Sequence, residues 1–247
     1  MSVPLYLACG PAERGAAAAS GRPLCLVGPR LAPDGTGLLE PELPPGARAD
    51  WVLLPDEGLG AYRPADAAVL LLRYCRARGC GLLADFGTGS PAEAAEALTA
   101  LDAAFAAAGV PMAVPEYYAE AAPGSLALIS SALSGGFFAS RVRECAARRP
   151  GRCALELEPV RADFALPCPD GCGRPIGEAE LAERRAAAGR DFLSAELLCR
   201  YFTREEDGKL VFTLFDDAET LRAKLGEAER AGFVCAFGLF QELRGLL

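Results

Sequence analysis

An eight-stranded parallel β/α barrel is the fold class this chain predicts. Three observations carry it. Short apolar runs, each about one strand long, recur eight times along the 247 residues. Segments with helical spacing separate most of them. Polar residues gather just past the ends of the runs, where such a barrel collects its chemistry. The runner-up is an open, doubly wound sheet. No G-x-G-x-x-G follows the first strand and no P-loop sequence occurs, so nucleotide binding has no support. At this length, residues 1–247 suit a single barrel domain.

The first strand is expected over Val3–Cys9 and the second over Leu24–Val27. Ala-rich residues 12–20 between them make a weak helix or loop, and residues 28–49, rich in Pro and Gly, read as a long surface loop. Trp51–Pro55 is the third strand, ending in Asp56-Glu57. Pro64–Arg78 places Ala68, Leu71, Leu72 and Cys75 at helical spacing and stops at Gly79. Gly81–Asp85 is the fourth strand. Ser90-Pro91, with Glu93, forms a capping-box start for a helix that runs to about Ala108. Pro111–Pro115 and Leu126–Ser130 are the fifth and sixth strands. Phe137–Arg149 is helical, and Cys153–Val160 is the seventh strand.

An insertion then occupies about residues 161–215. It holds a Pro/Cys/Gly loop at 167–175, a helix at 178–188 and a hairpin. The hairpin arms are Cys199–Thr203 and Lys209–Phe215, with the turn at Glu206-Asp207-Gly208. Asp217–Ala231 is an amphipathic helix ended by Gly232, and Val234–Phe240 is the eighth strand.

Composition excludes several functions. Apolar residues make up 51% of the chain, enough for a substantial core. A net charge of −8 argues against a nucleic-acid partner, whose phosphates need clustered Lys and Arg. The one basic cluster, Arg141 to Arg152, reads as a solvated helix end. The absence of histidine removes Ser-His-Asp and Cys-His catalysis and every His-ligated metal site. Only two lysines exist, Lys209 and Lys224. The ten cysteines are irregularly spaced and mostly lie in apolar runs. The one close pair in a loop is Cys168 and Cys172, with no second pair to complete a zinc site, so no metal or other cofactor is expected. With no leader-like start and no long apolar span, the expected address is cytoplasmic, with reduced thiols and no membrane contact.

The candidate chemistry sits at the strand ends. Asp56, Glu57, Asp85, Glu116, Tyr117, Ser130, Ser131, Glu158, Arg161 and Gln241 all fall there. Period-two alternation puts Leu83, Asp85 and Gly87 on one face of the fourth strand, and Glu156 with Glu158 on one face of the seventh. A bare carboxylate is costly to bury, so Glu156, the deeper of the two, is expected to pair with an Arg or accept a structural hydrogen bond.

These segments resemble the catalytic barrel of glycoside hydrolase family 18, the chitinase-like group. That family's fourth strand carries D-G-x-D-x-D-x-E, whose Glu protonates the glycosidic oxygen while the preceding Asp supports the substrate's own acetamido nucleophile. On this chain the five signature positions fall on Cys80, Gly81, Leu83, Asp85 and Gly87, so two survive and the acid is missing. Phe212 to Asp217 followed by Thr220, Leu221 and Lys224 resembles the family's "D-x-x-S-hydrophobic-x-x-K" helix start. Gly232 to Phe240 resembles its final G-x-G-x-x-W strand, with Phe240 where the substrate-stacking Trp would lie. The family's Met-x-Tyr-Asp segment should fall near Ser130–Leu133, where neither Tyr nor Asp occurs. The insertion before the eighth strand also fits that layout.

The resemblance implies a catalytically degenerate barrel with no catalytic residue in place. Its cleft would be lined by Asp85, Glu116, Tyr117, Glu158, Phe240 and Gln241. Its partner would be an N-acetylglucosamine-type glycan or a protein. Two alternatives stay open. One is an active glycosidase using relocated carboxylates, Asp85 with Glu116 or Glu158. The other is a structural or redox-responsive protein whose handle is the Cys168/Cys172 loop.

Overall fold

The computed structural model describes residues 3–41, 49–87, 93–169 and 171–246. Eight parallel strands close into a barrel: β1 (Leu5–Cys9), β2 (Leu24–Val27), β3 (Trp51–Pro55), β4 (Gly81–Asp85), β5 (Met112–Pro115), β6 (Leu126–Ser130), β7 (Cys153–Glu156) and β8 (Cys235–Leu239). Each pairs with its sequence neighbour, and β1 pairs with β8 through Leu5↔Ala236 to Ala8↔Leu239, which closes the cylinder and rules out the open sheet. The helices are α1 (Arg14–Ala19), α2 (Pro64–Arg78), α3 (Glu93–Ala108), α4 (Phe138–Arg148), α5 (Glu178–Ala188), α6 (Ala218–Ala231) and α7 (Phe240–Leu243). The expected Ser90-Pro91 cap lies outside the described residues. The region read as a long loop holds a small antiparallel pair, Arg30–Leu31 with Leu38–Leu39.

Alternation divides each strand between two cores. Ala8, Cys25, Trp51, Leu83, Ala113, Leu128, Ala154, Cys235 and Phe237 fill the barrel interior. The opposite faces pack on the helices, in one cluster around α2 and α3 and another around α4 and α6. Trp51 is the largest interior plug, edge-on to Phe237 with ring centres 5.0 Å apart. Gly81 on the neighbouring strand is required by it. A Cβ there would lie 2.7 Å from the Trp51 ring.

The insertion between β7 and β8 is more ordered than a hairpin and a helix. Five antiparallel strands form its sheet, in the order Arg174–Pro175, Arg161–Ala165, Lys209–Phe215, Cys199–Glu206 and Phe192–Ser194. Asp207 and Gly208 both take positive φ, 52° and 72°, in the two-residue turn that joins Glu206 to Lys209. Buried Asp163 fastens this sheet. It accepts from Arg174 at 2.9 Å, from Arg204 at 3.0 and 2.9 Å, from Thr213 at 2.7 Å, and from Arg184.

One buried ion pair closes the neck of the insertion. Val160 and Asp216 exchange backbone and side-chain hydrogen bonds at 2.9 and 2.8 Å. The Asp216 carboxylate also accepts from Thr220 Oγ1 at 2.8 Å and from Lys224 Nζ at 2.7 Å. Lys224 is only 1% exposed, so this is one of the two lysines spent entirely inside the protein. Asp217 beside it caps α6, accepting from the N–H groups of Glu219 and Thr220 at 3.0 Å each.

The basic run is not simply a solvated helix end. Arg149 donates to the carbonyls of Ala119 at 2.9 Å and Ser125 at 3.1 Å, which ties α4 to the loop before β6. Among the described residues no helix is long and apolar enough to cross a membrane.

Removing one partner of a buried pair leaves the other charge uncompensated. Lys224→Met should therefore lower unfolding stability by about 3 kcal/mol or more in urea denaturation. A loss below about 1 kcal/mol, the scale of an exposed pair, would contradict the neck's assigned role.

Candidate functional site

The C-terminal ends of the strands surround a cleft of about 360 Å³. Alternation again decides what faces it. On β7, Ala154 belongs to the barrel interior, so Glu156, two residues on, continues on the same face above it. Its register neighbours are Ser130 on β6 and Phe237 on β8. On β4, Asp85 stands above Leu83 in the same way. Five acidic residues line the cleft: Asp85, Glu116, Glu156, Glu158 and Glu242. Among its described lining residues there is no Lys or Arg.

β7 ends at Glu156, earlier than expected, and Glu158 lies beyond it. A serine clamp holds that residue. Ser131 Oγ accepts from the Glu158 N–H at 3.0 Å and donates to the Glu158 carbonyl at 3.1 Å. The exposed Glu158 carboxylate then accepts from Ser130 Oγ at 3.2 Å. Glu116 is held from outside the barrel. It forms an ion pair with Arg141 of α4, and the Cys145 thiol donates to it at 3.8 Å.

Tyr117 is 52% exposed and walls the cleft. Its hydroxyl donates to the carbonyl of Phe86, which sets the phenol beside Gly87 at the exit of β4. Gly87 itself lines the cleft and offers only backbone there. α7 closes the opposite side. It packs close because Gly238 has no side chain: a Cβ there would meet Leu243 at 2.4 Å. That approach brings Glu242 into the cleft.

Burial pushes the Glu156 carboxyl up to about 7, with repulsion from Glu158, Asp85 and Glu242 adding to it. Asp85 opens onto the cleft, yet loss of solvent against the walls, with Asp56 nearby, raises it above the ordinary carboxylate range. Glu242 is raised as well, by burial and then by Glu158. At neutral pH the Glu156 carboxyl is therefore about half protonated, where an ordinary carboxylate would have lost its proton.

Four of the six expected cleft residues come together: Asp85, Glu116, Tyr117 and Glu158. Phe240 does not line this cleft. β8 stops at Leu239, Phe240 opens α7, and the ring is buried against the outer core beside a second cavity of about 320 Å³. Gln241 is exposed but also lies outside the cleft lining. Leu239 and Glu242 take their places. The expected Arg partner of Glu156 is not found among the described residues; only carboxylates act on it. No group of three Cys, Asp or Glu side chains among the described residues is arranged to hold a metal ion. In the insertion loop the Cys168 thiol donates to the Cys172 carbonyl at 3.5 Å.

An elevated carboxyl has a consequence for stability. The folded chain holds the Glu156 proton more tightly than the unfolded chain, so this group's contribution is full below about pH 4.5 and is lost as pH rises through about 7. Glu156→Gln should thus gain about 2 kcal/mol on wild type at about pH 8 relative to about pH 5, read by urea denaturation. Parallel stability curves for the two proteins would count against the electrostatics described.

No family model matches the sequence, and no curated protein matches it. Solved structures do. The spore cortex-lytic enzyme SleL of Bacillus cereus superposes with a TM-score of 0.65 at 13% identity, covering 100% of this chain and 72% of that one. A chitinase from Chromobacterium violaceum gives 0.64 at 13% identity, covering 96% of this chain and 93% of that one. A mutant class V chitinase from Nicotiana tobaccum, in complex with NAG4, gives the same figures: 0.64, 13%, 96% and 93%. At such identities the likeness establishes a shared fold: this chain adopts the closed β/α barrel seen in chitinases and in spore cortex-lytic enzymes.

Proposed function

We propose that the chain is a non-hydrolytic member of the glycoside hydrolase family 18 lineage that binds an N-acetylglucosamine-type glycan in the acidic cleft. One observation carries the proposal. The cleft is intact, but Gly87 stands where the family's proton donor would project. General acid catalysis contributes about 10²–10⁴-fold, and a glycine cannot supply it. Ser130 and its neighbours likewise lack the Tyr and Asp that the family uses on the sixth strand.

Binding needs less than catalysis does. Exposed Tyr117 offers an aromatic wall, and Ser130 with the carboxylates offers polar groups to sugar hydroxyls. Support for the ligand class comes from chitinases of the same fold in complex with NAG4 and (GlcNAc)4. The alternative, hydrolysis by relocated carboxylates, is less well served by the pairs first considered. Arg141 engages Glu116, and Ser130 and Ser131 hold Glu158.

Isothermal titration with an N-acetylglucosamine tetramer should give a saturable heat, lost or sharply weakened in Tyr117→Ala. Aryl N-acetylglucosaminide should show no turnover above buffer. Turnover that disappears in Asp85→Asn would replace this proposal with the relocated-carboxylate enzyme.

A further inference from the structure

The most deeply buried carboxyl of the cleft, Glu156, has no hydrogen-bond or ion-pair partner among the described residues. Glu156 stands above Ala154 on the inner face of β7, between Ser130 and Phe237. Among the described residues no hydrogen bond to its carboxyl forms. Among the described residues the ionisable groups that face it are acidic or phenolic. Glu158 follows on its own strand, Asp85 faces it from β4, and Glu242 faces it from α7. Tyr117 lies beyond β5, and Asp56, after β3, stands behind Asp85. Two arginines outside the cleft lining pair with other carboxylates, and Arg161 also acts on Glu242, opposing its rise. Arg141 is paired to Glu116, and Arg161 reaches Glu178 at 3.7 Å.

A carboxylate in that position would meet like charge on three sides with no counter-ion. A carboxyl that keeps its proton meets none of this and gains a donor hydrogen. The donor has no acceptor of its own, and it borders the space a ligand would fill. We infer that Glu156 acts as the hydrogen-bond donor that reads the ligand, selecting an uncharged sugar with an acceptor oxygen, such as a hydroxyl or acetamido carbonyl, and excluding sugars that carry a carboxylate. This rests on the proposed reading of the cleft as a glycan site. It adds what the site discriminates and at which residue.

The charge balance explains both halves of the selectivity. A neutral oligosaccharide accepts from Glu156 without bringing charge to the cleft. An acidic sugar adds a further anion to a space already lined by Asp85, Glu158 and Glu242. Raising the pH strips the donor hydrogen and adds one more repelling charge, since burial and its neighbours place the Glu156 midpoint at about 7.

The test is titration calorimetry at about pH 5.5 and about pH 8.5, on wild type and Glu156→Gln, with an N-acetylglucosamine tetramer and a glucuronic acid oligomer of similar length. The amide of Glu156→Gln keeps a donor at both pH values. Wild type should bind the neutral oligomer about tenfold or more weakly at the higher pH, the change that loss of one charge-sensitive hydrogen bond brings. Glu156→Gln should bind it with nearly the same affinity at both. Neither protein should bind the acidic oligomer. Neutral-sugar binding that is flat with pH in wild type, or equally steep in Glu156→Gln, would overturn the assigned donor while leaving the glycan site standing. Comparable binding of the acidic oligomer would overturn the selectivity. Absence of any binding to either protein at either pH would remove the glycan site and this inference together.

Discussion

Closure of the sheet through β1 and β8 is the constraint from which the rest follows. Once eight strands close, every second residue must point inward, and its height in the cylinder is set by register. The lower layers are filled by Trp51, Leu83 and small residues, and Phe237 stands level with Glu156. The upper layer is not apolar. There the same alternation delivers Asp85, Ser130 and Glu156 to one opening. α7 and the stretch after β7 add Glu242 and Glu158, each placed by a local device: Gly238 for the first and the Ser131 clamp for the second.

The result is a concentration of acid whose described lining holds no Lys or Arg, with Arg141 reaching only Glu116 from outside the barrel. Elsewhere in the molecule, carboxylates are paired with care. Asp163 is surrounded by three arginines, and Asp216 has Lys224, Thr220 and a backbone N–H. The contrast locates the unusual region without reference to any relative. Asp163 and Asp216 are satisfied within the fold; in the cleft, Glu156 has no partner among the described residues and borders open space. Perturbed, unsatisfied carboxyls in a concave site mark function more often than structure. Gly87 at the exit of β4 offers backbone alone to the cleft, and the proposed loss of hydrolysis rests on that.

Much of the barrel was legible in the residues. Its strands are short apolar runs bounded by turns, and two of them, Gly81–Asp85 and Cys153–Glu156, add a terminal carboxylate that alternation could place. The insertion sheet was only half legible. Its hairpin shows through Asp207-Gly208, but Arg161–Ala165 is a strand because it finds Val211–Phe215 far along the chain, and Phe192–Ser194 because Cys199–Tyr201 folds back on it. In the cleft, the facing of Glu156 followed from period two, whereas its lack of an arginine did not. Sequence spacing does not tell which side chains cross a barrel mouth. Phe240 was misplaced for a simpler reason. The strand ends one residue earlier, and the change to helix turns the ring away from the cleft into the outer core. The same turn carries Glu242 inward; a helical reading of residues 240–243 would have been the signal for it.

The most direct check of the account is the titration of Glu156 itself, in the ligand-free protein. Selective ¹³C labelling of glutamate carboxyls, with Glu156→Gln to assign the resonance, gives its midpoint by NMR. The account predicts a midpoint at about 7, raised by burial and by the neighbouring carboxylates. A midpoint in the ordinary glutamate range, about 4.3, would mean that the cleft is solvated or compensated by a charge not accounted for, and the picture of an uncompensated acidic mouth would be wrong.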